Sequence, residues 1–143
     1  MDYGQKRIGL AISDDFKTFA IPLPVLKVKS FSDAISKLQR IIKSQKIDEI
    51  VIGLPLNTKG NETKQSIQTR YFSNALKSTN GANIIFRNEL FTTKEAEQNL
   101  KNYSPKIKEN KDSEAARILL QEYLDSKKDP YIQAKLAPRY NFQ

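Results

Sequence analysis

A continuous apolar run in the middle of the chain, "DEIVIGLPLN" at positions 48–57, places the strongest limit on what this sequence can fold into. A strand that is apolar on both faces must be covered on both faces, which is typical of parallel sheets flanked by helices. A second run, "ANIIFRNEL" at 82–90, follows a polar loop and a helical pattern at 63–78. Because parallel strands joined through a helix form right-handed crossovers, these segments predict an α/β fold.

The first part of the chain predicts antiparallel strands instead. In the segment 7–13, isoleucine and leucine alternate with small residues such as Gly9, which indicates a strand with one small face against which another element can pack closely. The segment 19–28, "FAIPLPVLKV", contains two prolines, and prolines favour the edge of a sheet. With only Met1 before Asp2, we expect either a short first strand or a true start of the chain further upstream.

Apolar residues at helical spacing predict the helices. Ser30 is a candidate cap for a helix that continues to about residue 45. A capping box begins another helix at Thr92. A last helix begins near Asp112 and continues to about Lys127.

These elements predict one domain at residues 1–126, followed by a C-terminal tail at 127–143. Their order favours a mixed five-stranded sheet with helices on both faces. In such sheets, functional sites gather at the carboxyl ends of the strands. The charged segment 102–111 has no apolar period, so we expect a mobile loop there, just before the last helix.

Composition excludes several kinds of chemistry. The chain has no cysteine and no histidine, which rules out a thiolate zinc site, a cysteine nucleophile and an imidazole base. Catalysis must then use carboxylates, hydroxyls or lysines, together with a hard metal ion held by oxygen ligands. The formal net charge is +8, from 24 Lys and Arg against 16 Asp and Glu. That balance favours a polyanionic partner, but only modestly, because a lysine-rich composition also reflects genome base bias.

The sequence also bears on location and assembly. No apolar run has the length of a membrane span, and the N-terminus has no pattern of a secretion signal. We therefore expect a cytoplasmic protein without a membrane partner. The oligomeric state stays open between a monomer and a homodimer.

Three acidic residues lie at the ends of predicted core elements. Asp2 precedes the first hairpin, Glu89 follows a buried strand, and Asp112 lies four residues before Ala116 on the apolar face of the last helix. Each acid has a structural explanation: a turn residue for the first, a solvated loop for the second, and a helix N-cap for the third. A cap alone does not explain why Asp112 lies on the face that meets the sheet, where an unpaired acid is costly.

If the sheet closes as predicted, Asp2, Glu89 and Asp112 converge and form a site for divalent metal ions. Two Mg²⁺ or Mn²⁺ ions roughly 3.5–4 Å apart would then activate water and stabilise the leaving oxygen in phosphodiester cleavage. The neighbouring cations Lys6 and Arg7 would contact the nucleic-acid backbone.

Four segments, in order, resemble the motifs of one known family. They are "DYGQKRIGLAISD" near the N-terminus, "VIGLPLNTKGNETKQS" at the end of the central apolar run, "NELFTTKEAEQNL" after the second run, and "KDSEAARILLQEYLD" in the last helix. Together they are similar to the YqgF/RuvX-like family of pre-16S rRNA nucleases, also described as Holliday-junction-resolvase-like. The resemblance covers roughly residues 2 to 125.

The resemblance implies a ribonuclease H-like fold and a metal-dependent endonuclease that processes the 5′ end of pre-16S rRNA during ribosome biogenesis. It places the family's acidic positions on Asp2, Glu89 and Asp112. Asn57 in the second motif is a further candidate for nucleic-acid binding. The family's arginine after the glutamate is Leu90 here, which leaves the nearby Arg87 as the candidate phosphate contact.

Three other functions were compared with this one. A Holliday-junction-resolvase-like enzyme would cut branched DNA with the same site. An RNA-binding assembly factor would keep the fold without the metal chemistry. A sugar- or acetate-kinase-like ATPase is the least favoured, because such enzymes clamp the nucleotide between two domains and 143 residues supply one.

Overall fold

The computed structural model describes residues 1–79, 81–88 and 111–128. Glu89, Leu90, the predicted helix from Thr92, most of the predicted loop 102–111 and the tail after residue 128 lie outside the described residues. The described elements, in chain order, are the strands and helices β1 (Arg7–Ile8), β2 (Ala11–Ser13), β3 (Ala20–Pro22), β4 (Leu26–Lys27), α1 (Phe31–Ser44), β5 (Glu49–Leu54), α2 (Lys64–Thr79), β6 (Asn83–Asn88) and α3 (Lys111–Lys128).

The N-terminal strands pair antiparallel, as predicted. β1 pairs with β4, and β2 pairs with β3, with Ile12 opposite Ile21. The predicted strand at 19–28 is divided into two short strands, because β3 ends at Pro22 and Pro24 lies before β4. A proline has no backbone N–H to donate to a neighbouring strand.

The central apolar run forms the strand β5, which pairs in parallel with β6 from Glu49 opposite Asn83 to Leu54 opposite Asn88. Both faces of β5 are covered. Ile52 packs in a core cluster with residues of α1 and α2, whereas Val51 packs against α3. The prediction that this strand is buried on both faces is therefore confirmed.

Met1 and Asp2 connect the antiparallel and the parallel strands. The amino group of Met1 donates to the carbonyl of Val51 at 2.6 Å, and Gly53 N–H donates to the carbonyl of Met1 at 3.1 Å. This pattern is that of a parallel pair. Asp2 forms an antiparallel bridge with Gly9 on the other side. The mixed α/β organisation is confirmed, whereas a single five-stranded sheet stays a prediction.

The helices begin and pack as their sequences indicate. The side chain of Ser30 caps α1 by accepting the N–H of Asp33 at 3.1 Å. On one face of β5, α1 and α2 contribute buried apolar residues such as Leu38, Phe72 and Leu76. On the other face, α3 contributes buried apolar residues at helical spacing: Ala116, Leu119 and Tyr123.

The helices within residues 1–79, 81–88 and 111–128 were also compared with the requirements of a membrane span. None of them is both long enough and apolar enough to cross a bilayer.

Candidate metal and nucleic-acid site

The site begins at Asp2, at the carboxyl end of the short N-terminal strand. The backbone N–H and carbonyl of Asp2 both bond to Gly9, each at 2.9 Å. Side chains directly opposite each other in an antiparallel pair lie on the same face. The Asp2 carboxylate therefore lies on the face that Gly9 leaves without a side chain.

The first turn of α3 occupies the space next to Gly9. A Cβ atom built on Gly9 would lie 1.9 Å from the backbone oxygen of Asp112 and 2.9 Å from its Cβ. Only glycine permits this approach of strand and helix backbones. The prediction that this strand keeps one face small for close packing is confirmed, and the contact brings Asp112 beside Asp2.

The Asp112 side chain is three-quarters buried, with an exposed fraction of 26%. Burial raises the pKa of this carboxyl group, and the negative charge of Asp2 raises it further. The positive charges of Arg7 and Lys111 act in the opposite direction. A partly buried carboxylate next to a second acid is the kind of donor set that a divalent cation stabilises.

Asp112 lies within the first turn of α3, after its first residue Lys111. An N-cap residue precedes the first helical residue, whereas Asp112 follows it. This position favours a metal-binding role for Asp112 over a capping role. Arg7 reaches the same carboxylate, with its Nε 3.5 Å from Oδ2. The Arg7 side chain is 61% exposed, so an ion pair of this kind contributes little to stability.

Glu89, the third predicted ligand, lies outside the described residues. The residue before it, Asn88, ends β6 opposite Leu54, at the edge of the sheet where the other parallel strands also end. Within the described part of the chain, no group of three or more acidic, histidine or cysteine side chains is placed to hold a metal ion. The three-acid site thus stays a prediction, of which the structure brings two members together.

Asn57 organises the loop that follows β5 at this edge. Its side-chain oxygen accepts the N–H groups of Lys59 and Asn61, at 3.0 and 2.9 Å. Gly60, at φ 79°, occupies the left-handed region that favours glycine. Asn57 is thus a structural residue of the loop, and its predicted role in nucleic-acid binding stays a prediction.

A polar network after this loop was not anticipated from the sequence. Thr63 and Ser66 cap α2 reciprocally, each hydroxyl accepting the backbone N–H of the other residue at 3.1 and 2.8 Å. The Thr63 hydroxyl also donates to the carbonyl of Pro55 at 2.6 Å. Glu62 accepts from the Ser66 hydroxyl and pairs with Arg70 at 2.6 Å. Thr63, directly before α2, is a residue type favoured at the N-cap, and the network fixes the loop to α2.

Arg87 lies against α3. Its guanidinium is 5.1 Å from the ring centre of Tyr123 and donates to the carbonyl of Phe86 at 3.1 Å. Burial lowers the pKa of Arg87. The ring of Tyr123 also faces Lys127, which pairs with Glu49 at 3.1 Å. These contacts attach α3 to β5 and β6, and the predicted phosphate contact of Arg87 stays a prediction.

The raised pKa of Asp112 predicts how stability depends on pH. A carboxyl group whose pKa is higher in the folded state stabilises the fold below its unfolded pKa of about 3.9, and this contribution is lost as the pH rises through the folded pKa. In EDTA, Asp112→Asn should therefore have a higher Tm than the wild type at pH 7, and the difference should vanish as the pH falls towards 4. Thermal unfolding followed by circular dichroism measures this.

Glu114→Gln is the matched control, because Glu114 lies in the same helical turn but pairs with Arg117 at 2.7 Å. It should not raise the Tm at pH 7. An equal or lower Tm of Asp112→Asn at every pH would contradict the expectation.

Comparisons with known proteins agree with this geometry. The chain matches a family model described as "RuvX: Holliday junction resolvase" over residues 1–126. A protein of Dictyoglomus thermophilum is 36% identical over 131 residues, which cover 88% of this chain and 93% of the relative. A protein of Sulfurihydrogenibium sp. is 41% identical over 128 residues, covering 87% of each chain. One of Maridesulfovibrio salexigens is 38% identical over 127 residues, covering 87% of this chain and 94% of the relative.

All three relatives carry the name "Putative pre-16S rRNA nuclease". The residues matched by the family model include Asp2 and Asp112. The resemblance inferred from the four sequence motifs is confirmed, and the chain belongs to the RuvX family.

Proposed function

We propose that this protein is a metal-dependent endonuclease that cuts pre-16S rRNA near its 5′ end during ribosome biogenesis. The family and the names of the relatives support a hydrolase that acts on phosphodiester bonds. Our proposal goes further in four respects: the substrate is pre-16S rRNA, the cut lies near its 5′ end, the enzyme uses Mg²⁺ or Mn²⁺, and it acts in the cytoplasm. We also infer that the backbone bonds of Met1 and Asp2 join the strand pairs into one five-stranded, ribonuclease H-like sheet.

The observation that carries the proposal is the contact between Gly9 and Asp112. It brings the carboxylates of Asp2 and Asp112 to one face of the sheet, where the charge of Asp2 raises the cost of ionising Asp112. A protein that keeps two partly buried acids close together needs positive charge between them. Glu89, one residue after the end of β6, is the proposed third ligand.

Divalent ions bound to these acids would supply the charge that activates water and stabilises the leaving oxygen of a phosphodiester. The residues themselves perform separate tasks. Asp2 and Asp112 hold their positions because one is fixed in the sheet and the other in a helix packed on it. Arg7, 3.5 Å from Asp112, is within reach of a phosphate at the same place and would contact it directly.

RNA and branched DNA are both compatible with this chemistry, and the names of the relatives favour RNA whereas the description of the family model favours a Holliday junction. The purified protein should therefore be incubated with a pre-16S 5′ fragment and with a four-way DNA junction, each with Mg²⁺ and with EDTA. We expect Mg²⁺-dependent cleavage of the RNA.

Sequencing of 16S 5′ ends after depletion of the protein should then show extended ends, and normal ends would contradict the proposal.

Lys6 and Arg7 are expected to contact phosphates. Each phosphate contact contributes roughly −0.7 to −0.9 to the slope of log affinity against log salt. The double variant Lys6→Ala, Arg7→Ala should therefore reduce the steepness of that slope by about 1 to 2 units, measured by fluorescence anisotropy with labelled RNA in EDTA.

The matched control removes two positive charges near the C-terminal end of α1, where Lys43 and Lys46 are exposed. Replacing both with alanine should leave the slope nearly unchanged. If the two double variants have equal slopes, the phosphate contacts of the protein lie elsewhere.

A further inference from the structure

Three exposed apolar side chains form a continuous surface near the starts of α1 and α2. Phe31, at the start of α1, is 41% exposed, Ile67 is 59% exposed and Tyr71 is 71% exposed. The rings of Phe31 and Tyr71 are 5.6 Å apart and tilted by 49°, and Ile67 lies one helical turn before Tyr71. We call these three residues the aromatic face.

The position of the aromatic face relative to Asp2 follows from a series of ring contacts. Tyr3, the residue after Asp2, stacks on Phe72 with ring centres 4.2 Å apart. Phe72 meets Phe31 edge to face at 5.4 Å, and Phe31 meets Tyr71 at the surface. Because successive side chains of a strand point to opposite faces of the sheet, this series runs on the α1 and α2 side, opposite the face of the Asp2 carboxylate, and it connects the aromatic face to the N-terminal segment.

Backbone contacts place the aromatic face at the edge of the sheet where the acidic site also lies. Val28, shortly before α1, donates to the carbonyl of Lys6 at 3.0 Å, which puts the start of α1 beside the turn after Asp2. Thr63, at the start of α2, bonds to Pro55, immediately after β5. The first turns of both helices therefore lie where the parallel strands end.

Lysines border the aromatic face. Lys64 lies three residues before Ile67, on the same exposed stripe of α2, and Lys29 lies just before the cap of α1. Asp33, the acid in the first turn of α1, pairs with Lys37 at 3.0 Å, so its charge is compensated. Exposed rings next to exposed lysines suit a nucleic acid, whose bases stack and whose phosphates bind the cations.

We propose that the aromatic face stacks an unpaired base of the nucleic acid at the edge of the sheet where the bond is cut. The inference rests on the proposed function, because it assigns the neighbouring nucleotides a single-stranded conformation. A second copy of this chain is less favoured as the occupant, since a stable dimer buries about 800 Å² on each side and this face has three apolar side chains.

The test measures binding of two RNAs in EDTA, so that cleavage plays no part. One is a single strand with 2-aminopurine as a fluorescent base, and the other is a blunt duplex. Loss of one stacked base weakens binding by about 5- to 150-fold, since stacking is worth roughly 1–3 kcal/mol by alanine substitution. We expect Tyr71→Ala to show this loss for the single strand and less than about a twofold change for the duplex.

Two further variants separate stacking from other effects. Tyr71→Phe keeps the ring and should retain both the affinity and the change in 2-aminopurine fluorescence. Phe16→Ala removes an 87% exposed ring from the turn between β2 and β3, near Asp48 at the opposite end of β5. It should bind both RNAs as the wild type does.

The outcomes distinguish this inference from the proposed function. Wild-type affinity and fluorescence in Tyr71→Ala would overturn the stacking role, while Mg²⁺-dependent cleavage by the same variant would leave the nuclease assignment intact. If the wild-type protein binds single strands through Tyr71 but does not cut RNA, the stacking role would stand and the nuclease assignment would be overturned. A concentration-dependent dimer that Tyr71→Ala dissociates, with unchanged RNA binding, would identify the aromatic face as a self-association surface and overturn the proposal.

Discussion

Asp112→Asn is expected to abolish metal-dependent cleavage, with a loss on the order of 100-fold or more, while RNA binding stays equal or becomes slightly tighter. Asparagine keeps the shape of the side chain but removes the negative charge that holds a cation. Tighter binding is expected because one charge that repels phosphate is gone. Initial cleavage rates with Mg²⁺ and anisotropy titrations in EDTA measure the two effects separately.

Glu114→Gln serves as the control here too, because it removes one acidic charge from the same turn of α3 without touching the site. It should cleave RNA at nearly the wild-type rate. If Asp112 served only the start of the helix, asparagine would replace it well. Full activity of Asp112→Asn would therefore leave a basic RNA-binding domain as the better description of the protein.

Gly9→Ala is expected to have the second large effect, on both stability and activity. The added methyl group would overlap the backbone oxygen of Asp112, at 1.9 Å, and backbone cannot move aside as the end of a flexible side chain can. Overpacking typically costs about 1–3 kcal/mol, and displacement of α3 would separate Asp112 from Asp2. We expect a Tm lower by several degrees and a cleavage rate at least about tenfold lower.

Gly81→Ala is the matched control, because among the residues that the structure describes no atom beyond its chain neighbours lies within 4 Å of a Cβ built at that position. It should change neither the Tm nor the cleavage rate appreciably. A Gly9→Ala protein that keeps the wild-type Tm and cleavage rate would show that the contact between Gly9 and the first turn of α3 is looser than the structure indicates.

The sequence was informative about elements that bury a recurrent apolar pattern. The runs around Val51 and Ile85 predicted the two parallel strands, and the stripe through Leu119 predicted α3. Ser30 predicted the start of α1, since a cap is a local interaction between neighbours in the chain. These features depend on few residues at short separation, which is why they can be read from sequence.

Long-range geometry was harder to predict. The small residue Gly9 indicated close packing, but nothing in its neighbourhood named Asp112 as the partner. Arg7 was expected to serve phosphate alone, whereas it also pairs with Asp112, because pairing across the fold depends on strand register and helix placement. The division of the third strand at its prolines is a local effect whose extent the sequence did not determine.

Part of the candidate site came from residue types and part from resemblance. The absence of histidine and cysteine pointed to carboxylates, and Asp2 and Asp112 are indeed brought together. Asn57 shows the limit of such reasoning, since its amide oxygen is used within its own loop. A motif identifies a position that matters without distinguishing a residue that contacts a substrate from one that shapes a loop.

The contact between Gly9 and Asp112 has a consequence for the timing of activity during synthesis. The two residues are about a hundred positions apart, and at roughly 5–20 residues per second the ribosome adds Asp112 roughly 5 to 20 seconds after Gly9. Until α3 has emerged and docked, a growing chain holds Asp2 without its partner. Under the proposed function, the nascent protein is unable to cut RNA until α3 has docked.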